Sequence, residues 1–347
     1  MKKFLSILLA ALLLTVAAVS SAETLIPEEK TPVRDRVVHL EGYAAADFSG
    51  DMDSHWVGFD SDDPASVESY AFGLTTYAAA YYNGSVYGYV YGYDASGALQ
   101  DGFYTFDTKD HIVSYPGGTS NGVFVYGMAF NYADGNMYAL CDEDHPYLAT
   151  VDLETGELTT VVNVQLGSYL GIYTFAIDGN GVFYALTMSA VNARLVRIDP
   201  ATGALTEVGA TGKPCYYAQS MTCDVETGVI YWAHLESNFN NGLYTVDPET
   251  AEIEFIGQIG PEGMELTGLY IVPENEPVVP PAYTLGDVNG NGTVEVGDAI
   301  LALRAAMNIT ELDETQQLAA DINENGSVEV TDTISILRFA MGLIDEF

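Results

Sequence analysis

The chain has 347 residues, with 11 Lys plus Arg against 49 Asp plus Glu, and a formal net charge of −38. A surface this acidic repels phosphate backbones and anionic membranes, so nucleic acid and membrane insertion are excluded as modes of action. The length allows two domains, and three Cys in one chain do not make a disulfide framework.

Residues 1–22 read as an export signal. Lys2 and Lys3 precede an apolar run from Phe4 to Val19, and Ser20-Ser21-Ala22 supplies small residues before a cut. The run is short for a membrane anchor and lacks a basic flank after it. A secreted protein, extracellular or held in a cell-surface complex, is expected.

Residues 36–272 carry a repeat. An aromatic or aliphatic run ends in Asp and a turn at Asp60, Asp107, Asp152, Asp199 and Asp247, in steps of 47, 45, 47 and 48 residues. A second marker runs in phase, with Tyr87, Tyr138, Tyr184 and Tyr231 each following a Gly-containing turn. Short strands and tight turns at such a period predict a β-propeller. The third period parses as strands at 126–131, 136–140, 147–152 and 158–164. Four periods are complete. Strands near 37–43, 56–60 and 66–72 combine with 265–272 in a fifth blade closed by both ends of the segment, which removes free edges. The repeated Asp residues read as turn caps. The turn 247–251 ends in Ala251 where its equivalents end in Gly156 and Gly203, so it is expected to be strained or altered. The Leu-Tyr-x-Val-Asp-Pro-x-Thr-Gly hairpin resembles blades of the quinoprotein-like and lactonase-like propeller families. That resemblance implies a blade and no particular activity.

The body offers no catalytic signature. Gly118-Thr-Ser120-Asn-Gly122 has the spacing of a nucleophile elbow, but a strand follows it where a helix is required. The predicted inner strands carry few acids, and Asp178 and Asp224 fall where turns begin. Tyrosine is the abundant resource, with 24 in the chain. Tyr77, Tyr81, Tyr126 and Tyr173 on inner strands are candidate ligand-stacking residues, against the alternative that they fill inter-blade space. Cys215 and Cys223 are close enough in sequence to pair, and otherwise the three cysteines are small buried hydrophobes.

Four prolines between Pro273 and Pro281 mark residues 273–284 as a semi-rigid linker. The tail, 285–347, repeats itself at an offset of 34: Asp287-Val-Asn-Gly-Asn-Gly-Thr-Val-Glu-Val-Gly-Asp298 and Asp321-Ile-Asn-Glu-Asn-Gly-Ser-Val-Glu-Val-Thr-Asp332. Both fit a calcium loop. Oxygen side chains stand at positions 1, 3 and 5 (Asp287, Asn289, Asn291; Asp321, Asn323, Asn325). Gly292 and Gly326 make the sharp turn, and Thr293 and Ser327 offer a carbonyl at position 7. Position 12 is Asp298 or Asp332, and each loop runs into Ile-x-x-Leu-Arg-x-Ala-Met, with Ile, Leu and Met on one helix face. Asn at positions 3 and 5 leaves two carboxylates per loop, so calcium binding is expected to be weaker than in a loop with Asp there.

Loop then helix, twice, with Asp at position 12, resembles the type I dockerin. The resemblance implies two calcium ions and tight binding to a cohesin on a scaffoldin, with near two-fold symmetry. It places partner contacts at Val296, Gly297 and Arg304, and at Val330, Thr331 and Arg338. The expected whole is a mainly β chain: a five-bladed propeller followed by a small helical dockerin module, in a cellulosome-like complex. The propeller is then a carbohydrate- or protein-binding module. A glycoside hydrolase or lyase acting on plant polysaccharide in the channel is the alternative, and a structural spacer a third.

Overall fold

A computed structural model describes residues 36–47, 55–72, 75–93, 99–109, 112–120, 122–142, 145–216, 219–236, 240–274, 284–323, 325–344 and 347. The export-signal segment 1–22 and nearly all of the linker 273–284 lie outside the described residues.

The body forms five four-stranded antiparallel sheets. One joins β1 (His39–Asp47), β2 (His55–Asp60) and β3 (Glu68–Ala71) to β20 (Met264–Val272), in the order β20-β1-β2-β3. The next is β4 (Thr75–Tyr82), β5 (Ser85–Tyr93), β6 (Leu99–Asp107) and β7 (Val113–Ser114). Then come β8 (Phe124–Asn131), β9 (Asn136–Asp142), β10 (Pro146–Val151) and β11 (Leu158–Asn163). The fourth sheet is β12 (Ile172–Ile177), β13 (Phe183–Thr187), β14 (Arg194–Ile198) and β15 (Leu205–Ala210). The last is β16 (Ser220–Cys223), β17 (Ile230–Leu235), β18 (Asn241–Val246) and β19 (Ile253–Gly257). The inner strands β20, β4, β8, β12 and β16 touch in sequence, and β16 returns to β20, closing a five-bladed propeller.

Five apolar clusters fill the spaces between neighbouring blades. Tyr138, Leu140 and Leu148 of one blade, for example, interlock with Phe175, Phe183 and Val196 of the next. The closing blade adds a polar clasp. The Trp56 indole donates to Tyr270 Oη at 3.0 Å, and the Tyr270 hydroxyl donates to the buried Glu41 carboxylate. His39 stands 3.6 Å from Glu41 and 2.9 Å from Asp60. The clasp ties β20 to β1 and β2 across more than 200 residues of sequence, where a slip would open the ring.

The Asp markers are turn caps, as expected. Asp152 Oδ1 accepts from the backbone N–H of Glu154 and Thr155, and Asp199 and Asp247 do the same in their turns. The turn at Ala251 is not rebuilt. Ala251 takes φ 63° and its N–H reaches Asp247 O at 2.9 Å, so the hairpin keeps its geometry and the alanine bears the left-handed strain.

The tail contributes three helices among the described residues: α1 (Val296–Ala306), α2 (Glu314–Ala320) and α3 (Val330–Ala340). Val288, Ala299, Ala302, Leu312, Ala320 and Ile336 form its own small core. No helix among the described residues is long and apolar enough to cross a membrane.

Candidate functional site: two acidic loops and a tyrosine mouth

The first loop folds around its own carboxylates. Asp287 accepts from the N–H of Asn291 at 3.1 Å and of Gly292 at 2.7 Å. Asp298 accepts from the N–H of Asn289 at 2.9 Å and of Glu295 at 2.8 Å. The second loop repeats this: Asp321 receives Asn325 at 3.1 Å and Gly326 at 2.7 Å, and Asp332 receives Glu329 at 2.8 Å. Gly292 and Gly326 take φ 87° and 84°, where a side chain would be strained. The Asn325 side-chain oxygen accepts from the Ser327 N–H, and that of Asn291 from the Thr293 N–H, which curls the chain at position 5 of each loop.

Asp298 and Asp332 are 0% and 1% exposed. Among the described residues, no Lys or Arg makes an ion pair with either, or with Asp287 or Asp321. A buried carboxylate without a counter-charge is costly. The side chains of each loop that could ligate an ion are oxygen-bearing: the carboxylates, and the amides of Asn289, whose oxygen accepts from the Asn291 N–H, and of Asn323, whose nitrogen donates to Asp332 at 2.8 Å. Such a set suits a hard divalent cation and not a soft one.

Each loop feeds a helix whose apolar stripe points outward. Val296, Ile300 and Met307 of the first repeat are 46%, 54% and 57% exposed, and Val330, Ile334 and Met341 of the second 51%, 50% and 53%. The Ile and Met positions of this face therefore do not build the core, whereas Leu337 packs against it. That task falls to the alanines on α1 and to Ile336 on α3. Gly297, Arg304, Thr331 and Arg338 are exposed beside the two stripes.

In the propeller, Tyr77, Tyr126 and Tyr173 occupy equivalent places near the starts of β4, β8 and β12. Each sits where the inner strand's register with the next strand slips: between Thr76 and Ala79, between Val125 and Gly127, and between Ile172 and Thr174. A bulge breaks the two-residue alternation and re-aims the side chain it carries. All three tyrosines are half-buried. The rings of Tyr126 and Tyr173 meet edge to face at 5.6 Å across two blades, and Tyr77 lies 6.1 Å from Phe124. Burial, then Tyr173 and Asp142, pushes the Tyr126 phenol up; burial, then neighbours including Tyr216, Glu265 and Asp142, does the same for Tyr173. Both therefore remain hydroxyl donors at neutral pH. Tyr81 does not join them. It lies at the other end of β4, its ring stacked near Tyr270 at 6.3 Å and its hydroxyl accepting from Gly84 N–H.

That other end holds a cavity of about 60 Å³ in the central channel, lined by residues of all five inner strands, among them Tyr81, Met128, Met221 and Tyr270. It is lined mainly by apolar side chains. The acids near it are engaged: Asp178 caps Asn180 and Val182, Asp224 caps Glu226 and Thr227, and Glu226 pairs with Arg36. Cys141, Cys215 and Cys223 are buried and unpaired, and burial pushes the thiols of Cys141 and Cys215 up to about 12.

The fold defines the body as a five-bladed β-propeller. The tail, over residues 285–338, matches the family model described as the Dockerin type I domain. A crystal structure of TolB from Acinetobacter baumannii is similar to this chain at 12% identity and a TM-score of 0.43, covering 69% of this chain and 66% of TolB. This chain thus spans just under two thirds of that structure. No curated protein matches the chain.

Proposed function

We propose that the chain is a secreted, dockerin-bearing component of a cellulosome-like complex, and that its propeller is a binding module displayed there. The observation that carries the reading is the pair of loops that bury Asp298 and Asp332 without a basic partner and lead into helices with outward apolar stripes. Asp287, Asn289, Asn291, the Thr293 carbonyl and Asp298 hold one calcium ion, and Asp321, Asn323, Asn325, the Ser327 carbonyl and Asp332 hold a second. The ions neutralise the buried carboxylates and lock each loop to its helix. Val296, Gly297 and Arg304, or their counterparts Val330, Thr331 and Arg338, then meet a scaffoldin cohesin.

The binding reading of the propeller is favoured over a hydrolase by its acids. At the cavity end of the channel, Asp178 and Asp224 are spent on turns.

Calorimetric titration with calcium, and capture by type I cohesins with and without chelator, tests this. The full chain is expected to take up two ions, and D298A and D332A one each, with affinity below that of loops carrying Asp at position 5. Chelation is expected to abolish capture. Stoichiometry unchanged in both variants, or cohesin capture indifferent to chelator, would refute the assignment.

A further inference from the structure

The tyrosine mouth draws one element from every blade. Tyr77 comes from β4, Tyr126 with Asp142 from β8 and β9, Tyr173 from β12, Tyr216 from the segment before β16, and Glu265 from β20. Tyr216 and Glu265 both lie within electrostatic range of the Tyr173 hydroxyl. The same bulge in three successive inner strands is the second observation. Tyr77 and Tyr173 rest with one side against the apolar clusters between blades, and the bulge re-aims the ring each carries. Repeating it three times turns three rings to one end of the channel.

We propose that this mouth is a binding site for an uncharged polysaccharide chain. Resting on the binding-module reading above, it names the ligand class. A pyranose has apolar C–H faces and hydroxyl edges. The mouth offers both complements: the exposed Tyr216 and the half-buried Tyr77, Tyr126 and Tyr173 as aromatic surface and, beside them, the Asp142 and Glu265 carboxylates and tyrosine hydroxyls as hydrogen-bonding groups. Tyr126 and Tyr173 stand at 89° to each other, so a chain crossing the mouth can lay one sugar on a ring face and turn its hydroxyl edge to the next. Charge selects among glycans. With a net charge of −38 on the chain and two carboxylates at the mouth, a uronate or sulfated chain is repelled.

The test uses the full chain with calcium present, in affinity electrophoresis and calorimetry. The probes are neutral polymers (barley β-glucan, xyloglucan, glucomannan), polygalacturonate as an anionic chain, and polylysine as a basic polypeptide. At least one neutral polymer is expected to retard the protein, with affinity unchanged by 0.5 M NaCl, while polygalacturonate does not. Tyr126→Ala and Tyr173→Ala are each expected to weaken binding at least tenfold, whereas Tyr81→Ala, at the other end of the strand, leaves it within twofold. Trp fluorescence melts check that each variant is folded. Retention by polygalacturonate or polylysine alone overturns the uncharged-glycan assignment while leaving a binding module. Undiminished binding in the folded Tyr126→Ala/Tyr173→Ala double variant overturns the mouth as the site. Release of shortened sugars from the neutral polymers overturns the binding-module reading itself.

Discussion

Gly203 and Gly228 form a matched pair whose replacement by alanine isolates inter-blade contact from backbone strain. Both close a tight turn in the left-handed region, at φ 70° and 77°. Both donate their N–H at 2.7 Å to an Asp carbonyl four residues back, Asp199 and Asp224. A Cβ at Gly228 meets nothing within 4 Å. At Gly203 it would stand 2.0 Å from the carbonyl oxygen of Asn163, at the end of the previous blade's outer strand. Gly228→Ala therefore costs only the left-handed penalty, about 1–2 kcal/mol, partly offset by about 0.4–1 kcal/mol from a stiffer unfolded chain. The net is about 1 kcal/mol. Gly203→Ala adds a backbone clash that only a shift of one blade can relieve, for which overpacking costs of about 1–3 kcal/mol are the guide. Its total is roughly 3 kcal/mol. For a body of this size each kcal/mol is worth about 2–4 °C, so the melt should fall by about 2–4 °C for Gly228→Ala and by roughly 6–12 °C for Gly203→Ala. The chain's two tryptophans, Trp56 and Trp232, both lie buried in the propeller, so their fluorescence follows its melting without interference from the tail. Equal shifts in the two variants would show that the blades do not press together at Gly203.

The clasp predicts a pH dependence. The His39 imidazole is raised from 6.5 to about 9, chiefly by the Glu41 carboxylate 3.6 Å away and further by its hydrogen bond to Asp60, so its share of stability is whole below about 6.5 and is lost as pH climbs through about 9. The Trp melt should decline between pH 7 and 9.5 in the parent chain, and His39→Gln should flatten that decline; an identical slope in both would remove His39 from the clasp. In the tail, the Phe347 ring stacks on Phe339 at 4.6 Å and lies against Gly286 at the entrance to the first loop. Phe347→Ala should destabilise the calcium-loaded tail by about 1 kcal/mol, seen as a lower helix melt by circular dichroism with the Trp melt unchanged.

The blades were legible because each repeats its own local chemistry. Asp caps and Gly turns sit at fixed offsets from alternating strands, and the expected third-period strands fall within two residues of β8, β9, β10 and β11. The fifth blade could be read from the leftover strands alone. Other features depend on pairing between distant segments. The bulges at Tyr77, Tyr126 and Tyr173 exist only relative to the neighbouring strand, and no local motif announces them. Tyr81 shows the same limit: strand membership is visible in a sequence, while the end of the channel a residue occupies depends on register. Ala251 shows the reverse, a local rule broken while the turn persists, because the surrounding hairpin holds it. In the tail, helix periodicity revealed the Ile-Leu-Met face but not its direction: Ile300, Met307, Ile334 and Met341 are exposed, while Ala299, Ala302 and Ile336 pack and Leu337 lies against them.

Pro273 lines the small cavity at the far end of the channel, so the chain leaves the propeller there, opposite the tyrosines. The ring thus has a tethered pole and a free pole. In the scaffold-bound reading proposed above, the path to the tail begins at the tethered pole, so the chain's own exit takes up none of the tyrosine pole. Many copies along one support could therefore present the same face outward, and the effective density of that face would be set by the spacing of attachment points rather than by contacts between propellers.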